Sequence, residues 1–135
     1  MITAIDTNVL LDILLPNPRF VSQSSLALED AASGSLVICD PVYAELCVHF
    51  DHQSECDEFL EDNEIRLEAL SRAASFLASR AWRTYRKRGG QRARILPDFL
   101  IGAHAQLQAS RLLTRDRGFY RSMFPSLLLA DPSDR

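Results

Sequence analysis

The chain of 135 residues is 47% hydrophobic and 24% charged, with a formal net charge of -3. These are the proportions of one soluble globular domain over residues 1–135 rather than of a disordered or fibrous chain. Its longest apolar runs, Leu36 to Cys39 and Leu127 to Ala130, are four residues, against the about 20 that a spanning helix needs, so no membrane partner is expected.

In chain order, Ile2 to Asp6 predicts a strand, and Asn8 to Leu15 a short helix stopped by Pro16-Asn17-Pro18. Phe20 to Ser33 predicts a helix ended by Gly34, and Leu36 to Cys39 a strand of the buried type. Asp40-Pro41 predicts a helix start, with Asp40 as N-cap and Pro41 at the first helical position, continuing from Val42 to about Phe50. An acidic helix is expected over Gln53 to Asp62. Next, Ala74, Leu77, Ala78, Ala81, Trp82 and Tyr85 recur at helical spacing, with Arg72, Arg80, Arg83 and Lys87 opposite them. Gly89-Gly90 ends that helix, and Gln91 to Arg94 reads as a polar, basic loop. Pro97 opens a helix to about Ala109, and Arg111 to Thr114 and Leu127 to Ala130 predict two more strands. Strands alternating with helices favour a three-layer α/β/α sandwich with a mostly parallel central sheet.

Cys39, Cys47 and Cys56 are odd in number and fit neither a disulfide framework nor a paired CxxC zinc site. With no basic start or signal-type apolar stretch at Met1 to Asp6, they read as reduced thiols of a cytoplasmic protein. The net charge conceals an asymmetry. Glu29 to Glu68 carries 12 acids and one base, Arg66, whereas Ala69 to Pro97 carries eight bases and no acid. A basic block in an acidic chain suggests local contact with a polyanion, against the plainer reading of a solvated helix face. On the first reading, Arg83, Arg86, Lys87, Arg88, Arg92 and Arg94 are the candidate nucleic-acid-binding residues, and Tyr85 or Trp82 could add stacking if their rings are not buried.

Functional groups of open α/β sheets gather outside the carboxyl ends of strands. Four acids answer to that position. Asp6 ends the first strand, Glu45 lies one turn into the helix after the second, Asp98 follows Pro97 at a helix opening, and Asp116 follows the strand from Arg111. Taken singly, Asp98 could serve its helix N-terminus, Asp116 a turn before Gly118, and Glu45 the solvent. Together they would repel one another, and the only lysine, Lys87, is not placed to neutralise them. A cation is the natural solution, and hard oxygen ligands select Mg²⁺ or Mn²⁺. The three histidines, His49, His52 and His104, show no pairing suited to metal-free acid and base catalysis, and each is expected to be structural or superficial.

Other strand-end aspartate chemistries fit poorly. A haloacid-dehalogenase-like phosphatase needs a second aspartate where Asn8 stands, and a response-regulator receiver needs a late strand-end lysine. No GxxxxGK phosphate loop occurs. An EF-hand beginning at Asp6 fails because Leu10 and Leu11 occupy the positions of the third ligand and the glycine.

Four motifs remain: Ile5-Asp6-Thr7-Asn8-Val9-Leu10-Leu11-Asp12, Tyr43-Ala44-Glu45-Leu46, Pro97-Asp98-Phe99-Leu100-Ile101-Gly102-Ala103-His104-Ala105 and Leu113-Thr114-Arg115-Asp116-Arg117-Gly118-Phe119. In these motifs and their order the chain resembles the PIN-domain ribonucleases, most closely the VapC toxins of toxin–antitoxin pairs. The resemblance implies an endoribonuclease dependent on Mg²⁺ or Mn²⁺, with Asp6, Glu45, Asp98 and Asp116 as catalytic and metal-binding acids. Asn8 and Thr114 would be supporting polar residues, and Asp12 a helix-surface or supporting group rather than a ligand. A metal-activated water would leave 5′-phosphate and 3′-hydroxyl ends. The resemblance also implies an RNA substrate, a small antitoxin partner and a homodimer. The alternative from another class is a noncatalytic PIN-like module that binds RNA or a partner and leaves strands intact.

Overall fold

The computed structural model describes residues 1–90 and 95–134. Arg92 and Arg94, with the polar loop expected over Gln91 to Arg94, lie outside the described residues. Five strands form one all-parallel sheet: β1 (Ile2–Ile5), β2 (Ser35–Ile38), β3 (Ile65–Leu67), β4 (Arg111–Leu113) and β5 (Leu129–Ala130), in the spatial order β3-β2-β1-β4-β5. Seven helices join them among the described residues: α1 (Thr7–Leu14), α2 (Val21–Ala31), α3 (Asp40–Cys47), α4 (Gln53–Asp62), α5 (Arg72–Lys87), α6 (Leu96–Gln108) and α7 (Arg117–Met123). The chain therefore has the expected sandwich architecture, with a sheet that is wholly rather than mostly parallel.

The strand order explains the composition of the strands. β1 is central, paired to β2 through Ile2 and Ser35 and to β4 through Thr3 and Arg111. Thr3, Ala4 and Ile5 are buried, as are Leu36 to Ile38 and Leu112 and Leu113, as a sheet covered on both faces requires. From β1 the chain steps outward to β2 and β3, then returns across β1 to β4 and β5. Right-handed crossovers place the helices of those two excursions on opposite faces. The reversal falls between β1 and β4, and the crevice outside their carboxyl ends is where such sheets present functional groups.

Several helix boundaries follow from local chemistry. α4 has the expected limits. α5 begins at Ser71, whose Oγ accepts the Ala74 amide at 3.0 Å, and stops where Gly89 adopts a φ of 75°. There the Gly89 and Gly90 amides donate to Arg86 and Tyr85 carbonyls, two bonds that close the helix C-terminus and satisfy its last acceptors. On α6, Gly102 sits beneath Phe124, and a Cβ there would collide with that ring.

Other expectations need correction. α3 begins at Asp40 itself and ends at Cys47, so Asp40 is not the N-cap; its carboxylate instead accepts the Leu70 amide at 3.2 Å, joining the starts of α3 and the segment after β3. The Pro41 ring still occupies the first turn, where a missing N–H is harmless. β3 and α7 lack a clear sequence signal. β3 is a three-residue edge strand with Arg66 and Leu67 exposed, too short for alternation to register. α7 opens with Arg117-Gly118, a weak helix start, and it is held by the burial of Phe119 and Tyr120. The three cysteines are free thiols, and among the described residues no helix is long and apolar enough to cross a membrane.

Candidate functional site

The crevice at the carboxyl ends of β1 and β4 is organised around Asp6. The Asp6 amide donates to the Leu113 carbonyl at 3.0 Å, continuing the β1–β4 ladder for one more bond, while its side chain turns to cap α1 by accepting the Thr7 amide at 2.8 Å. The second carboxylate oxygen accepts the Thr114 hydroxyl at 2.8 Å and the Asn8 side-chain Nδ2 at 3.3 Å. Thr114 Oγ1 in turn accepts the Asp116 amide at 2.9 Å. One hydroxyl thus ties the two strand-end acids together.

Glu45 reaches the crevice from α3. Its Oε1 accepts the Thr7 hydroxyl at 2.7 Å, so α3 is latched to the first residue of α1. Asp98 lies in the first turn of α6 and reaches back to the Ile95 amide at 3.4 Å, the structural duty its helix-start position allows. Asp116 occupies the cap position of α7 without capping it through its side chain.

Tyr120, which no sequence motif singled out, links these acids. It is 1% exposed, and its hydroxyl hydrogen-bonds Asp6. Burial first, and then the negative fields of Asp6, Asp98 and Asp116, push its phenol far above the ordinary range. It therefore stays protonated as a donor. The available signal was spacing, since Tyr120 follows Asp116 by one helical turn, but that spacing is informative only once α7 is known to be a helix.

Asp6 is 6% exposed. Burial pushes its carboxyl up to about 6, more than the bonds from Thr114, Tyr120 and Thr7 pull it down, and the charge of Glu45 adds to the rise. The neighbouring cations are committed elsewhere. Arg115 pairs with Asp12 at 2.8 Å, and Arg117 pairs with Asp131 at 3.0 Å and Asp134 at 2.6 Å.

Thr7 links Asp6 to Glu45, Thr114 links it to Asp116, and the fields of Asp6, Asp98 and Asp116 meet at Tyr120, but the four acids are not drawn into a closed cage. Among the described residues no three His, Cys, Asp or Glu side chains could by themselves hold a metal ion. The described side-chain groups bonded around Asp6 are carboxylates, hydroxyls and the Asn8 side-chain amide, with no thiol or imidazole among them, a chemistry that fits a hard divalent cation. Mg²⁺ characteristically keeps several waters and uses one or two carboxylates, so an open cluster suits it better than a zinc or copper site. Asp12 departs from a helix-surface role. It is 2% exposed and accepts both Arg115 and the Ser24 hydroxyl.

The basic face of α5 flanks this region. Ser79, Trp82, Arg83, Arg86 and Lys87 line a groove of about 450 Å³, and Arg88 borders another of about 360 Å³ with Tyr85 and Phe119. Trp82 and Tyr85 are half-buried, neither free platforms nor core. Both pack against Phe99, at ring separations of 6.5 and 5.5 Å, and Phe99 meets Phe119 at 5.2 Å. Since Phe99 follows Asp98 and Phe119 precedes Tyr120, this aromatic layer joins the basic helix to the acids. His104 is structural, buried and bonded to Glu68 at 2.9 Å, whereas His49 and His52 are exposed.

Comparison with known proteins agrees with this fold. A family model for the PIN domain matches residues 3–124. VapBC-1 from nontypeable Haemophilus influenzae superposes with a TM-score of 0.72 at 19% identity, covering 99% of this chain and 100% of that one. VapBC2 from Rickettsia felis, bound to a DNA fragment from their promoter, gives 0.69 at 21% identity over 97% and 98%. FitAcB from Neisseria gonorrhoeae gives 0.63 at 21% identity over the whole of both chains. At these identities the likeness is one of fold. No curated protein matches the chain.

Proposed function

The chain belongs to the PIN-domain family, whose members are typically nucleases using divalent metals, and on that premise we propose that it is a metal-dependent endoribonuclease acting as the toxin of a toxin–antitoxin pair. The observation that carries the reading is Asp6, a buried carboxylate bonded by Thr114, Tyr120 and Thr7, with Glu45, Asp98 and Asp116 around it.

In this reading Asp6, Glu45, Asp98 and Asp116 hold Mg²⁺ or Mn²⁺, which when bound supplies Lewis acidity and lowers the pKa of water. Thr114 and Asn8 fix the Asp6 oxygens. Tyr120 keeps one donor on the same carboxylate. The acids are too few in cationic neighbours to accept a phosphodiester unaided, so substrate must be drawn in from outside the cluster. Arg83, Arg86, Lys87 and Arg88, with Arg92 and Arg94 from outside the described residues, do this by taking up RNA phosphates. The four-acid arrangement favours hydrolysis that leaves 5′-phosphate and 3′-hydroxyl ends. The likeness in fold to VapBC and FitAcB supports a small antitoxin partner; a homodimer and a cytoplasmic location belong to the same proposal.

The test is cleavage of single-stranded RNA with and without chelator, followed by end-group analysis. Cutting that stops with chelator, returns with Mn²⁺ and leaves 5′-phosphates is expected. RNA that is bound but stays intact at all metal concentrations would instead identify a noncatalytic module. Replacing Arg83, Arg86 and Lys87 together with Ala should weaken RNA binding and reduce its logarithmic salt slope by about 2, since each lost phosphate contact on a single strand removes roughly 0.7. An unchanged affinity and slope would make this face a solvated surface only.

A further inference from the structure

The turn between β4 and α7 carries Thr114 and Asp116, and residue 115 between them is anchored far more firmly than a turn residue requires. The Arg115 amide donates to Asn8 Oδ1 at 3.3 Å. Its Nε and Nη2 donate to the two oxygens of Asp12 at 2.8 and 2.9 Å. The guanidinium also lies 3.9 Å from the centre of the Phe20 ring, and Ser24 takes up a further Asp12 lone pair at 2.7 Å. Asn8 and Asp12 are one turn apart on α1, the helix that Asp6 caps. One rigid element therefore bears both the central acid and two fixings for the opposite strand end.

We infer that Asp12 and Arg115 are positioning residues that set where Thr114 and Asp116 stand relative to Asp6, an inference that rests on the ribonuclease reading above. Stability alone gives little reason for the pair. The Asp12 carboxylate is buried while the Arg115 side chain keeps 26% exposure, so the pair costs desolvation chiefly at Asp12, and well-packed apolar residues of similar volume often serve as well or better where a charge is buried. What the pair adds is geometry. A two-bond fork between planar groups fixes distance and plane together, which a lysine ammonium does not. Stacking on Phe20 removes rotation about the remaining axis. With residue 115 held by main chain and side chain, its neighbours on either side have little freedom, and the Thr114 hydroxyl is kept within reach of both Asp6 and the Asp116 amide.

The test compares Arg115→Lys, which keeps the charge and loses the fork, with Arg115→Met and Asp12→Asn. Three quantities are read well below the melting range: kcat and KM on RNA, Mn²⁺ affinity by calorimetry without RNA, and Tm. Arg115→Lys should lower kcat by about tenfold to a hundredfold and weaken Mn²⁺ binding by a similar factor, with KM within about twofold, as expected when a supporting group rather than a ligand is lost. If Arg115→Met or Asp12→Asn fails to fold, Arg115→Lys decides. A lower Tm with wild-type kcat and Mn²⁺ affinity would make the pair purely structural and overturn the inference. If the wild-type protein binds Mn²⁺ without cutting RNA, the ribonuclease reading falls while the affinity change still decides positioning. A protein that neither binds Mn²⁺ nor cuts RNA overturns both.

Discussion

Asp98→Asn is expected to abolish metal-dependent cleavage, lowering the rate on the order of a thousandfold, the loss that follows removal of a preorganised electrostatic group. The substitution changes almost no volume and leaves an oxygen able to accept the Ile95 amide, which Asp98 now meets at 3.4 Å. What it removes is a negative charge in the first turn of α6. At a helix N-terminus that charge contributes about 0.3 to 1 kcal/mol, so Tm should fall by no more than a few degrees. The activity and stability effects thus differ enough to be separated in one preparation. Wild-type rates in pure, metal-replete Asp98→Asn protein would remove this acid from the site.

Asp6→Asn should do the opposite to stability while also eliminating cleavage. In the metal-free protein burial raises the Asp6 carboxyl from 3.8 to about 6, so between those values the folded state holds more protons than the unfolded one. Stability from this group is therefore full below about pH 4 and is lost as pH rises through about 6. A shift of roughly two units corresponds to about 3 kcal/mol, and asparagine imitates the protonated form. The variant should gain up to about 3 kcal/mol over wild type at pH 8 without metal, and the gain should vanish at pH 4. Adding millimolar Mn²⁺ at pH 8 should stabilise wild type more than the variant, because only a state that binds ligand is favoured by it. Denaturant titrations of both proteins at the two pH values measure this. Equal stability at pH 8 in the absence of metal would show that the Asp6 charge is not held at a cost.

That opposition has a structural cause. Thr114, Asn8, Thr7 and Tyr120 direct donors at Asp6 without bringing a full positive charge to it, and Arg115 and Arg117 are tied to Asp12 and to the C-terminal acids. A group left ionised and desolvated in this way fits a site built to receive a cation, and perturbed carboxylates of this kind concentrate at functional positions.

The sequence by itself determined the alternation of strands and helices, the limits of α4, the Gly89-Gly90 stop of α5, and the placement of Asp6, Asp98 and Asp116 just past strands or at helix starts. Each of these depends on neighbours within a few residues: apolar periodicity, a proline that cannot donate, a glycine free to take positive φ. It could not determine that Glu45 would bond Thr7, that Asp12 would be buried against Arg115, that Asp40 would bind the Leu70 amide rather than cap its helix, or that Tyr120 would reach Asp6. Those partners are separated by 30 to 114 residues or lie in a helix held by the burial of Phe119 and Tyr120. They meet because parallel pairing sets the carboxyl end of β1 beside those of β2 and β4, and that of β2 beside β3, so that segments distant in the chain lie side by side. Strand order is fixed by the burial of the whole sheet between its helices, a property of all the packed elements at once, so no local stretch of sequence contains it.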